Sequence, residues 1–298
     1  MGRHAMQEYL TPVSNSRARV PGSIVLITVF FFLGVSVLLY PSAASWFSTL
    51  QQSRDVNSYG NSVEILGPVG RSEALASAHD YNSTLTGGAL LDPFSHAAAD
   101  APVEAEQLYQ KQLALNPDGV MARLRVPSIN VDLPVLHGTS DEVLKRGVGH
   151  LFGTALPVGG QGSHTVLTGH AGIPEATLFT HLEDVVLGDS VDVEVYGEVL
   201  SYQVNNIQVI LPTETESLRP FPGQDLITLI TCTPTGINTH RLVVTAVRVP
   251  TPEQAVADGG HAVEIAFPWW AVGLGLAAAG STTILLLSAK RGRQREES

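Results

Sequence analysis

Cysteine is almost missing from this chain: Cys232 is the whole supply in 298 residues. No intramolecular disulfide is possible, so the thiol is a free surface nucleophile, a buried small residue or an intermolecular crosslink. It ends the β-patterned run Leu226 to Cys232, with Arg241 opening the next such run, and that setting favours the nucleophile. Basic residues are scarce too, with 17 Lys and Arg against 28 Asp and Glu, for a net charge of -11. Between residues 41 and 266, 10 basic residues face 25 acidic ones, a net of about -15. That sign argues against nucleic acid and against docking on anionic headgroups, and suits a basic partner such as a lysine-presenting protein.

Two stretches lack charge altogether. None occurs between Arg19 and Arg54, where Ser23 to Tyr40 is apolar enough to cross a bilayer, nor between Glu264 and Lys290. Phe267, Trp269 and Trp270 open the second stretch as interfacial aromatics do, and Lys290, Arg291, Arg293 and Arg295 follow it. Arg3, Arg17 and Arg19 precede the first. Both basic flanks therefore belong in the cytosol, which puts the middle of the chain outside the cell. A cleaved signal peptide is the alternative for the first stretch, given the small residues Ser42-Ala43-Ala44, although the apolar run is long for one.

The expected organisation is a cytosolic tail over 1–22, a membrane span over 23–40, a Ser-, Asn- and Gly-rich stalk over 41–90 and a helix-bearing segment over 91–120. A β-domain over 121–250, a linker over 251–266, a second span over 267–289 and a basic tail over 290–298 complete it. A short helix is predicted near Ser72 to His79 and a longer one over Ala97 to Leu115, with Val103, Leu108 and Leu113 apolar. From Ala122 onward, short β-branched runs recur: Leu124 to Val126, Ile129 to Val135, His164 to Thr168, Val191 to Tyr196, Val199 to Val204, Ile207 to Leu211, Leu226 to Cys232 and Arg241 to Val249. They predict a mainly antiparallel sheet that closes on itself or forms a sandwich. Gly197-Glu198 suits a hairpin turn, and short helices are expected after Ser140, ending at Gly147, and near Pro174 to His181.

If the runs on either side of Thr233 to His240 pair as a hairpin, Cys232 and Arg241 oppose each other within side-chain reach. A guanidinium there favours thiolate, or donates to a developing oxyanion. His170, where a strand runs into the Gly-bounded loop Gly169-His170-Ala171-Gly172, is the best candidate to move a proton; a hydrogen-bonded surface histidine is the bland alternative. No metal or cofactor is expected. His137, His150, His164, His170 and His181 contain no His-x-x-x-His pair and have no cysteine co-ligands.

The segment Thr228 to Leu242, with its Thr-Cys-Thr-Pro start and Gly-Ile-Asn-Thr-His-Arg-Leu end, resembles the active-site segment of sortases, in particular the class C, pilus-polymerising branch. Thr168-Gly169-His170 matches that family's histidine loop, and the similarity covers roughly Leu91 to Pro250. The resemblance implies a closed sortase-type β-barrel with short helices between two transmembrane helices, in the plasma membrane with the catalytic domain extracellular. It implies Cys232 as nucleophile, His170 as general acid or base and Arg241 as transition-state stabiliser. Asp92, Pro93 and Phe94 fit the class C lid by position and type, although Asp-Pro alone also starts ordinary turns. Ala171 departs from the pattern, since an arginine often follows the histidine in the family, and His240 is read as structural. The implied reaction is cleavage of an LPxTG-type sorting signal between Thr and Gly and transfer of the acyl group to a lysine amine of another pilin subunit. The alternative is a housekeeping sortase that attaches proteins to cell-wall peptide. Other rivals are a non-catalytic β-domain with a buried thiol and a hydrolytic cysteine protease.

Overall fold

In the computed structural model, which describes residues 20–85, 92–94, 102–259, 263 and 265–296, the β-patterned runs pair edge to edge until no strand is left open. The strands are β1 (Val120–Val126), β2 (Val131–His137), β3 (Val148–His150), β4 (His164–Thr168), β5 (Ser190–Val195), β6 (Glu198–Ile210), β7 (Leu226–Thr233) and β8 (His240–Arg248). Their order is β1-β2-β3-β4-β7-β8-β6-β5, a closed barrel with β5 back on β1. Most pairs are antiparallel, as expected, but β2–β3 and β4–β7 are parallel. The parallel β4–β7 pair matters most for function, because it brings the same ends of two sequence-distant strands side by side.

Alternation decides which side chains face inward. Leu167 on β4, Leu229 on β7 and Val244 on β8 are almost fully buried and join Leu124 and Val135 in the main core. Their neighbours Val166, Ile230 and Val243 point to the other face and make a second, smaller cluster with Leu151 and Leu218. Both faces are thus covered here. This explains why β7 reads as a continuous run with no wet positions.

Several expectations change in detail. The strand β3 is only three residues long and carries no alternation, so it left no signal in the sequence. The runs expected at Val199 and Ile207 form one strand, β6, bent by a bulge between Val204 and Asn206. The turn before β6 is Tyr196-Gly197, one residue earlier than expected, with φ 48° and 84°, the double positive φ of a type I′ hairpin. The helix α3 (Asp141–Arg146) forms as anticipated, with the Ser140 hydroxyl accepting from the Val143 amide and Gly147 ending it. No helix forms over 174–181; turns lead to a single 3-10 turn at Leu182–Asp184. Residues 251–266, expected as linker, contain the short helix α4 (Glu253–Asp258).

The largest correction concerns residues 41–90. The chain separates into two compact units, Met1–Ala43 with Pro268–Ser298, and Ala44–Phe267. Within the second unit the supposed stalk is helical as far as Thr84, as part of α1 (Gly22–Thr84). Its apolar residues are few, but Val56, Tyr59 and Val63 recur at helical spacing and are buried, with Tyr59 and Val63 in the barrel's own core cluster. The Tyr59 hydroxyl donates to the Met121 carbonyl at 3.0 Å and accepts from the Tyr196 amide at 2.8 Å. A polar surface face hid this packing stripe in the sequence. Gly67, with φ 74° and ψ 172°, interrupts the helix just before Pro68, a backbone position that favours glycine.

The helix expected over Ala97 to Leu115 is shorter, α2 (Val103–Lys111). Tyr109 is its buried residue, whereas Val103 and Leu108 are exposed. Leu91 and residues 95–101 lie outside the described residues. In the other unit, α1 and α5 (Trp269–Glu296) are each long and apolar enough to cross a membrane.

Candidate active site

The β7–β8 hairpin sets the site. Its ladder pairs Cys232 with Arg241 and Thr233 with His240 at the open end, so the thiol and the guanidinium project from adjacent strands on one face. The loop between them folds back on itself, the Ile237 and Asn238 amides both donating to the Pro234 carbonyl. Arg241 Nη1 donates to the carbonyls of Asn238 and His240, both at 3.1 Å, so the loop backbone aims the guanidinium. His240 is turned away from this arrangement, its ring nitrogen 2.9 Å from the Thr239 hydroxyl.

His170 arrives from the neighbouring strand. The parallel register pairs Thr168 with Ile230, so His170 and Cys232, each two residues further on, leave the same end of the barrel together. The Gly169 amide donates to the Ile230 carbonyl at 3.1 Å and the Thr231 hydroxyl donates to the Gly169 carbonyl at 2.7 Å, pinning the start of the histidine loop to β7. A Cβ on Gly169 would lie 2.7 Å from the Phe179 ring, which explains the glycine. The His170 carbonyl accepts from the Phe179 amide at 2.9 Å. Thr231 and Phe179 were not singled out from sequence; a hydroxyl in a strand and an aromatic in a loop are signals too common to stand out.

Asp92, Pro93 and Phe94 lie over the same face. Asp92 grips Arg241 with both oxygens, Oδ1 to Nε at 2.8 Å and Oδ2 to Nη2 at 2.7 Å, a bidentate pair that is largely out of solvent. The Phe94 ring has the Arg241 guanidinium 5.0 Å from its centroid and the His170 ring 5.7 Å away on a tilted approach. Phe94 also packs on the cluster of Leu151, Val166, Leu218, Ile230 and Val243. The structure therefore gathers Arg241, its ladder partner Cys232, Asp92, Phe94 and His170, with Pro93 between Asp92 and Phe94 in the chain.

One expectation is overturned. Cys232 is not a surface residue but buried, only 9% exposed. Burial raises its pKa above the usual thiol range, Arg241 pulls it down and Asp92 pushes it up again. Arg241 is held more firmly protonated, chiefly by its bond to Asp92. In this closed arrangement the carboxylate spends the guanidinium's charge, and the sulfur stays a thiol.

The closed β-barrel that carries this site is matched by known proteins. Residues 124–249 match the Sortase domain family. The solved structure of sortase C-1 from Actinomyces oris is 49% identical, with a TM-score of 0.57, over 61% of this chain and 99% of that one. Sortase C1 of GBS Pilus Island 1 is 39% identical, with a TM-score of 0.60, over 68% of this chain and 94% of that one. Sortase A of Streptococcus agalactiae serotype III (strain NEM316) is 26% identical over 159 residues, and the match spans 64% of that curated relative's length. With nearly the whole of the A. oris structure accounted for at that identity, the chain belongs to the sortase family of cysteine transpeptidases and has close structural matches among its class C members.

Proposed function

We propose that this protein is a membrane-anchored pilus-type sortase that cleaves an LPxTG-type sorting signal between Thr and Gly and joins the acyl group to a lysine amine of another pilin subunit. The observation that carries the reading is the Cys232–Arg241 cross-strand pair capped by Asp92 and Phe94. The name of the relative from a pilus island supports the choice of substrate. Two apolar helices, with Lys290 and Arg291 near the end of the second, support anchoring with the barrel on the outer face of the plasma membrane.

In this mechanism the lid withdraws first. Asp92 leaves Arg241 and Phe94 uncovers the sulfur, both changes favour thiolate, and the thiol proton passes to His170. The Cys232 thiolate attacks the threonine carbonyl, whose oxygen takes up the negative charge and accepts hydrogen bonds from Arg241. Collapse of that intermediate breaks the Thr–Gly bond while His170 protonates the departing glycine amine, leaving a thioester on Cys232. A lysine amine then attacks the thioester, His170 takes its proton and the thiolate departs. An isopeptide bond remains. An amine competes well with water for a thioester, and an apolar surround such as the Leu151–Leu218 cluster holds water back.

The test uses the full chain in detergent, incubated with a sorting-signal peptide and, separately, a pilin-derived lysine peptide or a cell-wall stem peptide. Mass spectrometry should find an acyl adduct on Cys232 that is absent from Cys232→Ala, and an amide product with the lysine peptide. Free acid alone would indicate a protease. Product with the stem peptide alone would indicate the cell-wall reaction, and absence of any adduct would overturn the assignment.

A further inference from the structure

The face that carries Cys232 continues along the barrel. By alternation, Thr228, Ile230 and Cys232 share it on β7, Arg241, Val243 and Thr245 on β8, and His164, Val166 and Thr168 on β4. One wall over this face is the β6–β7 connection, residues 211–225, which lowers Leu218 onto Val166, Ile230 and Val243. The backbone bonds inside that connection are local: Glu214 to Leu211, Leu218 to Thr215, Arg219 to Glu216 and Gln224 to Phe221. They shape its turns but do not attach its middle to the barrel.

His164 makes such an attachment. It opens β4, is 1% exposed, and its ring nitrogens reach in two directions, Nδ1 to the Arg219 carbonyl at 3.0 Å and Nε2 to the Thr228 hydroxyl at 2.7 Å. A carbonyl has no proton to give, so Nδ1 carries the hydrogen and Nε2 is the acceptor. Thr228 must then donate to Nε2, which leaves its oxygen to accept from Thr245, 3.0 Å away. The chain of bonds has one direction, from Thr245 through Thr228 and His164 to the carbonyl of Arg219. Burial lowers the pKa of His164, which keeps the ring in the neutral form this chain requires.

Packing alone does not hold the wall at this point. A cavity of about 270 Å³ lies beside His164, bounded by Leu218 and Pro220 of the wall, Thr154 and Gly160 of the β3–β4 connection, and Asn82 at the end of α1. A wall with empty space next to it is free to shift unless something polar fixes it.

We propose that His164 is a positioning residue for the sortase reaction: through the Arg219 carbonyl it sets the height of the Leu218 wall above the barrel face that leads to Cys232, and so tunes capture of the sorting signal without touching the reacting atoms. This rests on the reading of that face as the sorting-signal site. The group acts through backbone it holds, so its removal raises KM and leaves kcat nearly alone.

The experiment uses the full-length protein in detergent with two readouts, kinetics on a sorting-signal peptide and cleavage by endoprotease Glu-C at Glu214 and Glu216 in the wall. His164→Ala should raise KM by about tenfold with kcat changed less than about threefold, because a lost anchor misplaces the wall but not the thiol. It should also speed cleavage at Glu214 and Glu216. His164→Gln, whose amide supplies an NH2 donor and an acceptor oxygen without a titrating ring, should restore both. Thr228→Val removes the donor to Nε2 at nearly constant shape, and stands in if His164→Ala does not fold. Unchanged KM, a loss confined to kcat, or unchanged cleavage in a folded variant would each overturn the proposal. If the wild type turns over no sorting-signal peptide, the substrate reading fails, and unchanged Glu-C cleavage would still refute the anchor by itself.

Discussion

The two oxygens of Asp92 occupy the Nε and Nη2 edge of Arg241, the residue paired with Cys232 across the β7–β8 ladder, so those donors are already engaged. The carboxylate also raises the thiol pKa directly. Under the proposed roles of Cys232 and Arg241, one residue thus withholds both the nucleophile's charge and its stabiliser.

Asp92→Ala should therefore activate the thiol. Alkylation of Cys232 by iodoacetamide is expected to speed up by about tenfold or more at neutral pH, and the midpoint of its rate against pH should move down, since an acidifying arginine is released and a repelling carboxylate removed. Stopped-time mass spectrometry across pH 6 to 10 checks it. An unchanged midpoint would mean that Arg241 is not freed.

Phe94→Ala acts by access and not by charge. Its ring lies against both Arg241 and His170, and truncation opens the route to a cysteine that is only 9% exposed. Labelling should speed up with little shift of the pH midpoint. Because Asp92 and Phe94 are two residues apart and both touch Arg241, Asp92→Ala with Phe94→Ala should give less than the product of the single effects. Resistance of the native thiol to iodoacetamide does not by itself mark a non-catalytic cysteine, because Cys232 is buried beside Arg241, which Asp92 and Phe94 cover. The discriminating measurement is on the Asp92 and Phe94 variants.

Much of this site was legible because its chemistry is concentrated in rare residue types at fixed offsets. A lone cysteine nine residues before an arginine, across a turn-forming loop, defines a hairpin pair whatever the rest of the fold does. Burial of the thiol was legible only through the resemblance to the class C lid, not from local pattern, since it depends on Asp92 and Phe94, about 140 residues away in the chain. The same holds for α1: Val56, Tyr59 and Val63 make a stripe only once the barrel surface that receives them exists. His164 looked like any polar residue opening a strand. Its meaning comes from Arg219, whose contribution is a backbone carbonyl and carries no signature in residue type.

The buried imidazole of His150 makes the barrel acid-sensitive. It stacks on Tyr109, its Nε2 donates to the Ala155 carbonyl at 2.8 Å, and burial lowers its pKa from 6.5 to about 4. Between those values the unfolded chain binds a proton that the folded chain refuses, so the stability is full above pH 6.5 and is lost as pH falls toward 4. The differential is on the order of 3 kcal/mol at most. Thermal melts of wild type and His150→Gln between pH 7 and 5 test this: the variant should start less stable and lose less on acidification. Parallel slopes would contradict it.

Tyr59 provides the corresponding test for the helix that sequence reading took for a stalk. Its hydroxyl serves two buried backbone groups at once, the Met121 carbonyl and the Tyr196 amide, so Tyr59→Phe keeps the packing but orphans both. An unsatisfied buried polar group costs about 1–3 kcal/mol, and a loss in that range should lower the melting temperature by several degrees. A freely hanging stalk would show no loss, because water would take the place of both partners. Tyr59→Ala should lose more, as the ring's contact with Tyr196 at 6.2 Å and its share of the core go with it. The ranking wild type, Phe, Ala in melting temperature is thus what docking of this helix on the barrel demands, and equal melting of all three would remove α1 from the fold of the catalytic unit.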